Sequence, residues 1–258
     1  MGNIAILFDL CSGLFLNEPL QTQRTQRKTV FYVLFRIAIV FLITFFLITI
    51  FLVLEFLTMD ISVSGDELDD VSHEHGHDEE GSKMFGFIVF LLSESVIFLS
   101  FFAGYIIYKT STVNWLPAGV SGLEIKEPSI NTVVLVASSF VIYFAEKALE
   151  RHDLTSYRLL LFLTMAMGGY FLYGQAVEWS QLEFGFTSGT FGGMFYLLTG
   201  FHGLHVFTGI LLQLIVLLRS FIPGNFDHGH FGINATSLFW HFVDVIWIVL
   251  FILIYVWQ

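Results

Sequence analysis

Residues 190–218 read TFGGMFYLLTGFHGLHVFTGILLQLIVLL, a run without a single Asp, Glu, Lys or Arg. A helix needs about 20 mostly apolar residues to cross the ~30 Å hydrocarbon core of a bilayer. This stretch exceeds that length. Backbone groups surrounded by hydrocarbon must bond to one another, so a tract of this kind forms a helix. Five further tracts have the same character: Phe31–Leu57, Phe85–Tyr108, Ile130–Ala148, Tyr157–Trp179 and Ala235–Trp257. Together they predict an all-α, polytopic transmembrane helical bundle with about six spanning helices. Ile4–Leu16 is too short to span and carries Asp9, so it reads as a surface or partly buried segment.

Composition points the same way. Of 258 residues 55% are apolar and only 13% are charged, against roughly 25% charged in soluble domains. The chain lacks the ionised side chains that a soluble enzyme needs to cover its surface, and 17% aromatic residues exclude a disordered chain. The net charge of −11 excludes a nucleic-acid binder. Eight of those negative charges lie between Asp60 and Lys83, where nine acidic residues face one lysine. The single Cys11 forms neither an internal disulfide nor a thiolate metal set.

The chain therefore divides into three parts. Residues 1–57 hold an amino-terminal segment with one extra spanning helix, 58–83 an acidic, His-containing flexible loop, and 84–258 a five-helix core. No small-residue cleavage pattern follows Phe31–Leu57, which argues against a signal peptide. Within the core, Lys83, Lys147, Arg151, Arg158 and Arg219 fall on one side, and Lys109 and Lys126 on the other. The richer side is expected in the cytoplasm. Arg24, Arg27 and Lys28 before the first helix give the opposite sign, which leaves the side of the amino terminus open.

Ionisable residues inside the tracts are costly and each needs a partner or a task. Glu94 lies among apolar residues, flanked by Ser93 and Ser95. A buried acid is neutral by default. It reads either as a proton-exchanging carboxyl facing a protein interior or as an acid hydrogen-bonded to a neighbouring helix. His202 and His205 share one helix face, as do His241 and Asp244. The two pairs could supply four metal ligands, or bond between helices with Asp244 accepting from a His or Trp. Small residues Gly200, Gly203 and Gly209 would allow the required close approach. Gly189 and Gly193 form a further small-residue pair suited to helix packing. Glu178 and Trp179 close the fourth tract, with Gln175 one turn earlier. His73, His75 and His77 alternate in the acidic loop, either as solvated residues or as loose cation ligands.

The run Thr199-Gly200-Phe201-His202-Gly203-Leu204-His205-Val206, with Gly209, resembles the hallmark of subunit III of haem-copper terminal oxidases. So does Trp240-His241-Phe242-Val243-Asp244-Val245-Ile246-Trp247. Ser93-Glu94 matches the family's membrane carboxyl, and Trp115-Leu116-Pro117-Ala118-Gly119 is similar to its Trp-Pro-Pro-x-Gly loop. Pro128, Asn131-Thr132, Gln175-Ala176-Val177-Glu178-Trp179, Phe186-Thr187 and His228-Gly229-His230-Phe231-Gly232 also fit. Ala145-Glu146-Lys147 replaces the usual Ala-His-His. The wording is closest to bacterial, cyanobacterial-like members, and the resemblance covers Met84 to Gln258.

This resemblance implies a subunit of an oxidase that reduces oxygen to water coupled to proton translocation. It implies no catalytic centre and no redox cofactor or metal in this chain, with the haems and copper in subunits I and II. The paired histidines and Asp244, together with Glu178, Trp240 and Trp247, then become structural motif residues, and Glu94 the proton-related carboxyl near the interface with subunit I. The implied partners are subunits I and II and membrane lipids, including bound phospholipid. The implied location is a bacterial cytoplasmic or thylakoid membrane. A quinol oxidase, whose third subunit shares this block, is the nearest alternative. A proton-coupled carrier using Glu94 and Asp244 is an alternative of another class, but the repeats with broken helices common in carriers are not evident.

Overall fold

The computed structural model of the protein describes residues 73–112, 115–116, 122–222 and 231–257, with only the backbone for 73–80. The extra helix expected over Phe31–Leu57, the Ile4–Leu16 segment and Cys11 lie outside the described residues. Five helices follow in order: α1 (His73–Ser111), α2 (Lys126–Glu150), α3 (Leu154–Gln181), α4 (Thr190–Arg219) and α5 (Phe231–Phe251). A π-helical turn, Ile252–Val256, continues α5. All five are long and apolar enough to cross a membrane, α1 from Gly81 onward. No strand occurs among the described residues.

Helices α1 to α4 cover their expected tracts and run up to about one turn past most tract ends, while α5 with its π-helical turn ends at Val256, one residue short of its tract. The largest difference is at α1, which reaches back to His73 through part of the segment expected to be a loop. Elsewhere local chemistry sets the ends. At the α2–α3 connection, Arg151 and Asp153 N–H groups bond the Ala148 carbonyl, while His152 adopts a left-handed backbone (φ 59°). Asp153 then caps α3, its Oδ1 accepting from the Ser156 N–H at 3.1 Å. Hydrogen bonds from Ser156 hold the Asp153 carboxyl below the usual carboxylate range. Gly189, expected to serve helix packing, instead takes φ 107° at the start of α4, a conformation that favours glycine.

The helices alternate in direction. Phe87 and Phe231 meet edge to face at 6.4 Å near the starts of α1 and α5. At the other end Lys109 of α1 lies 4.3 Å from the centroid of the Trp257 ring. On the Lys147 side, Arg158 Nε donates to Ser220 Oγ at 3.0 Å and Nη2 to the Ser220 carbonyl, placing a cation at the carboxyl end of α4. The residues expected to face the cytoplasm thus gather at one end of the bundle.

α4 and α5 are the most deeply buried spans and α1, α2 and α3 the least. α5 touches α1, α2 and α4, and α4 touches α1, α3 and α5. The outer faces carry large apolar side chains such as Val133, Phe140, Phe162, Tyr173 and Val245. In water such faces would aggregate, whereas in a bilayer they meet lipid or partner helices.

Candidate functional site

Three polar networks lie within this apolar bundle. The first joins α1 to α4. Glu94 is 2% exposed and His205 fully buried. His205 Nδ1 lies 2.8 Å from the Phe201 carbonyl one turn earlier. A carbonyl only accepts, so Nδ1 carries hydrogen and donates. Nε2 then faces Glu94 Oε2 at 3.3 Å. The rings of Phe98 and Phe201 flank the imidazole at 4.9 and 4.8 Å, and Phe239 lies parallel to it at 6.3 Å. Glu94 therefore points into the bundle and bonds to a neighbouring helix.

The second network joins α2 to α5. Trp240 Nε1–H donates to Ser138 Oγ at 2.9 Å, and Trp247 Nε1–H to Thr132 Oγ1 at 2.9 Å. Between them His241 Nδ1 lies 3.1 Å from Ser139 Oγ, and the Ser139 hydroxyl donates to Asp244 Oδ2. Asp244 thus accepts from a serine rather than from the expected His or Trp. Residues seven apart on a helix are two turns apart on one face, which matches Trp240 and Trp247 to Thr132 and the serine pair. Ser138 and Ser139 escaped the sequence reading. Their only signal was a pair of hydroxyls in an uncharged tract, and such hydroxyls often just bond their own helix.

The third network lies near the opposite end of the bundle from Lys147. Glu178 Oε2 accepts from Gln175 Nε2 at 2.9 Å, and Oε1 from the Tyr255 hydroxyl at 2.8 Å. Tyr255 reaches it from the π-helical turn, where Trp257 N–H bonds the Ile252 carbonyl five residues back. Trp179 packs edge to face on Tyr196 at 5.1 Å, and a Cβ on Gly200 would stand 3.2 Å from Trp179 Cη2.

The paired residues do not converge on one centre. His205 faces Glu94, whereas His202 stacks on Trp247 at 4.8 Å with Phe171 edge-on at 5.7 Å. Among the described residues neither ring nitrogen of His202 has a hydrogen-bond partner. His241 and Asp244 turn to Ser139. Among the described residues no three His, Cys, Asp or Glu side chains group to hold a metal. The side chains of His73, His75 and His77, and residues 117–121 and 223–230, lie outside the described residues.

Comparison with known proteins identifies the family. The family model described as cytochrome c oxidase subunit III matches residues 12–258. Cytochrome c oxidase subunit 3 of Synechocystis sp. is 47% identical over 182 residues, covering 70% of this chain and 77% of the relative. The protein of that name from Thermostichus vulcanus is 42% identical over 187 residues, covering 72% and 92%. That of Tachyglossus aculeatus aculeatus is 35% identical over 181 residues, covering 67% and 69%. With the whole bundle inside the matched span, the chain belongs to the cytochrome c oxidase subunit III family.

Proposed function

We propose that this chain is the supporting, redox-cofactor-free subunit of its oxidase, and that the haems and copper reside in subunits I and II. It packs against these subunits, binds phospholipid, and maintains proton uptake into subunit I during sustained turnover, with cytochrome c as electron donor. Glu94 is its proton-bearing carboxyl, near the interface with subunit I. The membrane is the bacterial cytoplasmic or thylakoid membrane.

One observation carries this reading: the motif residues are spent one by one between helices. Glu94–His205 ties α1 to α4, and Ser139 with His241 and Asp244 ties α2 to α5. Such ties hold a bundle in register while its apolar outer faces remain for lipid and partner helices.

Purification of the tagged chain from its native membrane tests the proposal. The expected result is co-elution with haem absorbance and with oxygen uptake from reduced cytochrome c, and faster inactivation during turnover once this chain is removed. A colourless chain with no associated oxidase overturns it. Oxygen uptake from quinol but not from cytochrome c assigns the other donor.

A further inference from the structure

His241 of α5 is bonded at one edge of its ring only. Nδ1 lies 3.1 Å from Ser139 Oγ, and the Ser139 hydroxyl gives its single hydrogen to Asp244 Oδ2. Ser139 therefore meets Nδ1 with a lone pair, and Nδ1 carries the hydrogen. A neutral imidazole has only one such hydrogen, so Nε2 presents a bare lone pair. Among the described residues nothing donates to it, and the side chain is half-buried rather than enclosed.

Packing decides where that lone pair opens. α5 closes the bundle between α1 and α2, and it also touches α4. Its remaining face carries Leu238, Val245, Ile248 and Ile252, which are 38–60% exposed. Those positions recur every three or four residues, and His241 lies on the same stripe. It stands ten residues, about 15 Å, from the start of α5, halfway through a ~30 Å hydrocarbon core. Water is absent at that depth. Lipid tails carry no N–H or O–H group, and headgroup donors stay at the bilayer surface. A neighbouring helix spends its backbone N–H groups on itself. Only a side-chain donor on another helix satisfies the lone pair. The outward hydroxyls of α1 differ, since Ser93 and Ser100 donate to carbonyls of their own helix and lipid can cover them.

We propose that the α5 face between α1 and α2 docks a transmembrane helix of a partner subunit. That helix lays an apolar face on Leu238, Val245 and Ile248 and donates a side-chain hydroxyl, amide or indole hydrogen to His241 Nε2. Ser139 and Asp244 are positioning residues, because they fix the ring hydrogen on Nδ1 and leave Nε2 as the acceptor. The proposal deepens the reading of this chain as a subunit that packs against others, and it rests on that reading.

Photo-crosslinking in the intact complex tests it, with a photoreactive residue at Val245, one turn from His241. The expected product joins this chain to one other polypeptide of the haem-containing complex. His241→Asn keeps an N–H for Ser139 but has nothing at the place of Nε2. It should weaken that crosslink and speed release of this chain in detergent about three- to tenfold, the worth of one interhelical hydrogen bond. His241→Gln extends its amide oxygen to the place of Nε2 and should restore both. Adducts only with lipid, with a second copy or within the chain overturn the proposal. So does unchanged release in His241→Asn, or equal release from the Asn and Gln variants. If His241→Asn fails to assemble, the crosslink in the original protein still decides. Haem absorbance of the same samples is read separately. Haem present with adducts only to lipid sinks this proposal alone, and haem absent sinks the functional reading.

Discussion

The benzo ring of Trp240 lies against Gly209, where an added Cβ would stand 2.7 Å from Cε3. Its opposite edge meets Gly168 of α3, where a Cβ would come within 2.5 Å of Cη2. The indole thus fills a slot between α3 and α4, and Ser138 of α2 holds its N–H. One α5 side chain locks three other helices. Gly209→Ala and Gly168→Ala should each destabilise the protein by about 1–3 kcal/mol through overpacking. Gly203→Ala should be tolerated, because its Cβ would meet only Leu172 at 3.8 Å. Thermal unfolding in detergent reads the difference, and equal midpoints for all three variants would refute the slot.

Ser139 stands between His241 and Asp244, which is 4% exposed. Ser139→Ala should cost about 1–3 kcal/mol by leaving buried polar groups without a partner. Thr110→Ala should stay within about 0.5 kcal/mol, since that exposed hydroxyl bonds carbonyls of its own helix. Ser139→Ala combined with Asp244→Ala should cost less than the sum of the two changes, the mark of a shared contact. Additive losses would show that the two residues are independent.

Tyr255→Phe removes one of the two side-chain donors to Glu178 while keeping the ring in the core. The expected loss is about 1 kcal/mol, larger if the carboxyl is ionised. Glu178→Gln in the same background should recover part of it, because the amide does not require a second donor at that oxygen. A Tyr255→Phe protein as stable as the original would exclude the contact.

Asp153 gives a dependence on pH. Its folded-state carboxyl lies below the usual range because Ser156 bonds the charged form. Stability from this cap is therefore complete above the ordinary carboxylate range and fades as acid drives the pH down through the folded-state value. Asp153→Asn keeps a capping oxygen but cannot titrate. Its α2–α3 connection should lose less stability on acidification than that of the original protein. Hydrogen exchange of the Ser156 amide across an acid series would show parallel curves if the prediction fails.

The spanning helices were legible because a bilayer imposes one dominant condition, a long apolar run, and a one-dimensional sequence displays it directly. Helix directions were legible in part from Lys147, Arg158 and Arg219, whose charges avoid hydrocarbon. The motif positions Glu94, His202, His205, His241 and Asp244 stood out because ionisable groups in such runs are rare. Their partners did not. Glu94 and His205 are 111 residues apart and Ser139 and Asp244 are 105 apart. No local periodicity encodes those distances.

The amino-acid sequence by itself determined the class, the five described spans and the family, since each depends on hydrophobic length or on motif wording along the chain. Only the tertiary structure decided who bonds whom. It separated His202 from His205, gave Asp244 to Ser139, and brought Tyr255 to Glu178 through a π-helical turn. The physical reason is that these bonds depend on the rotation and register of one helix against another. Both are set by packing, as where Trp240 sits between two glycines on different helices, and packing is a property of the assembled bundle.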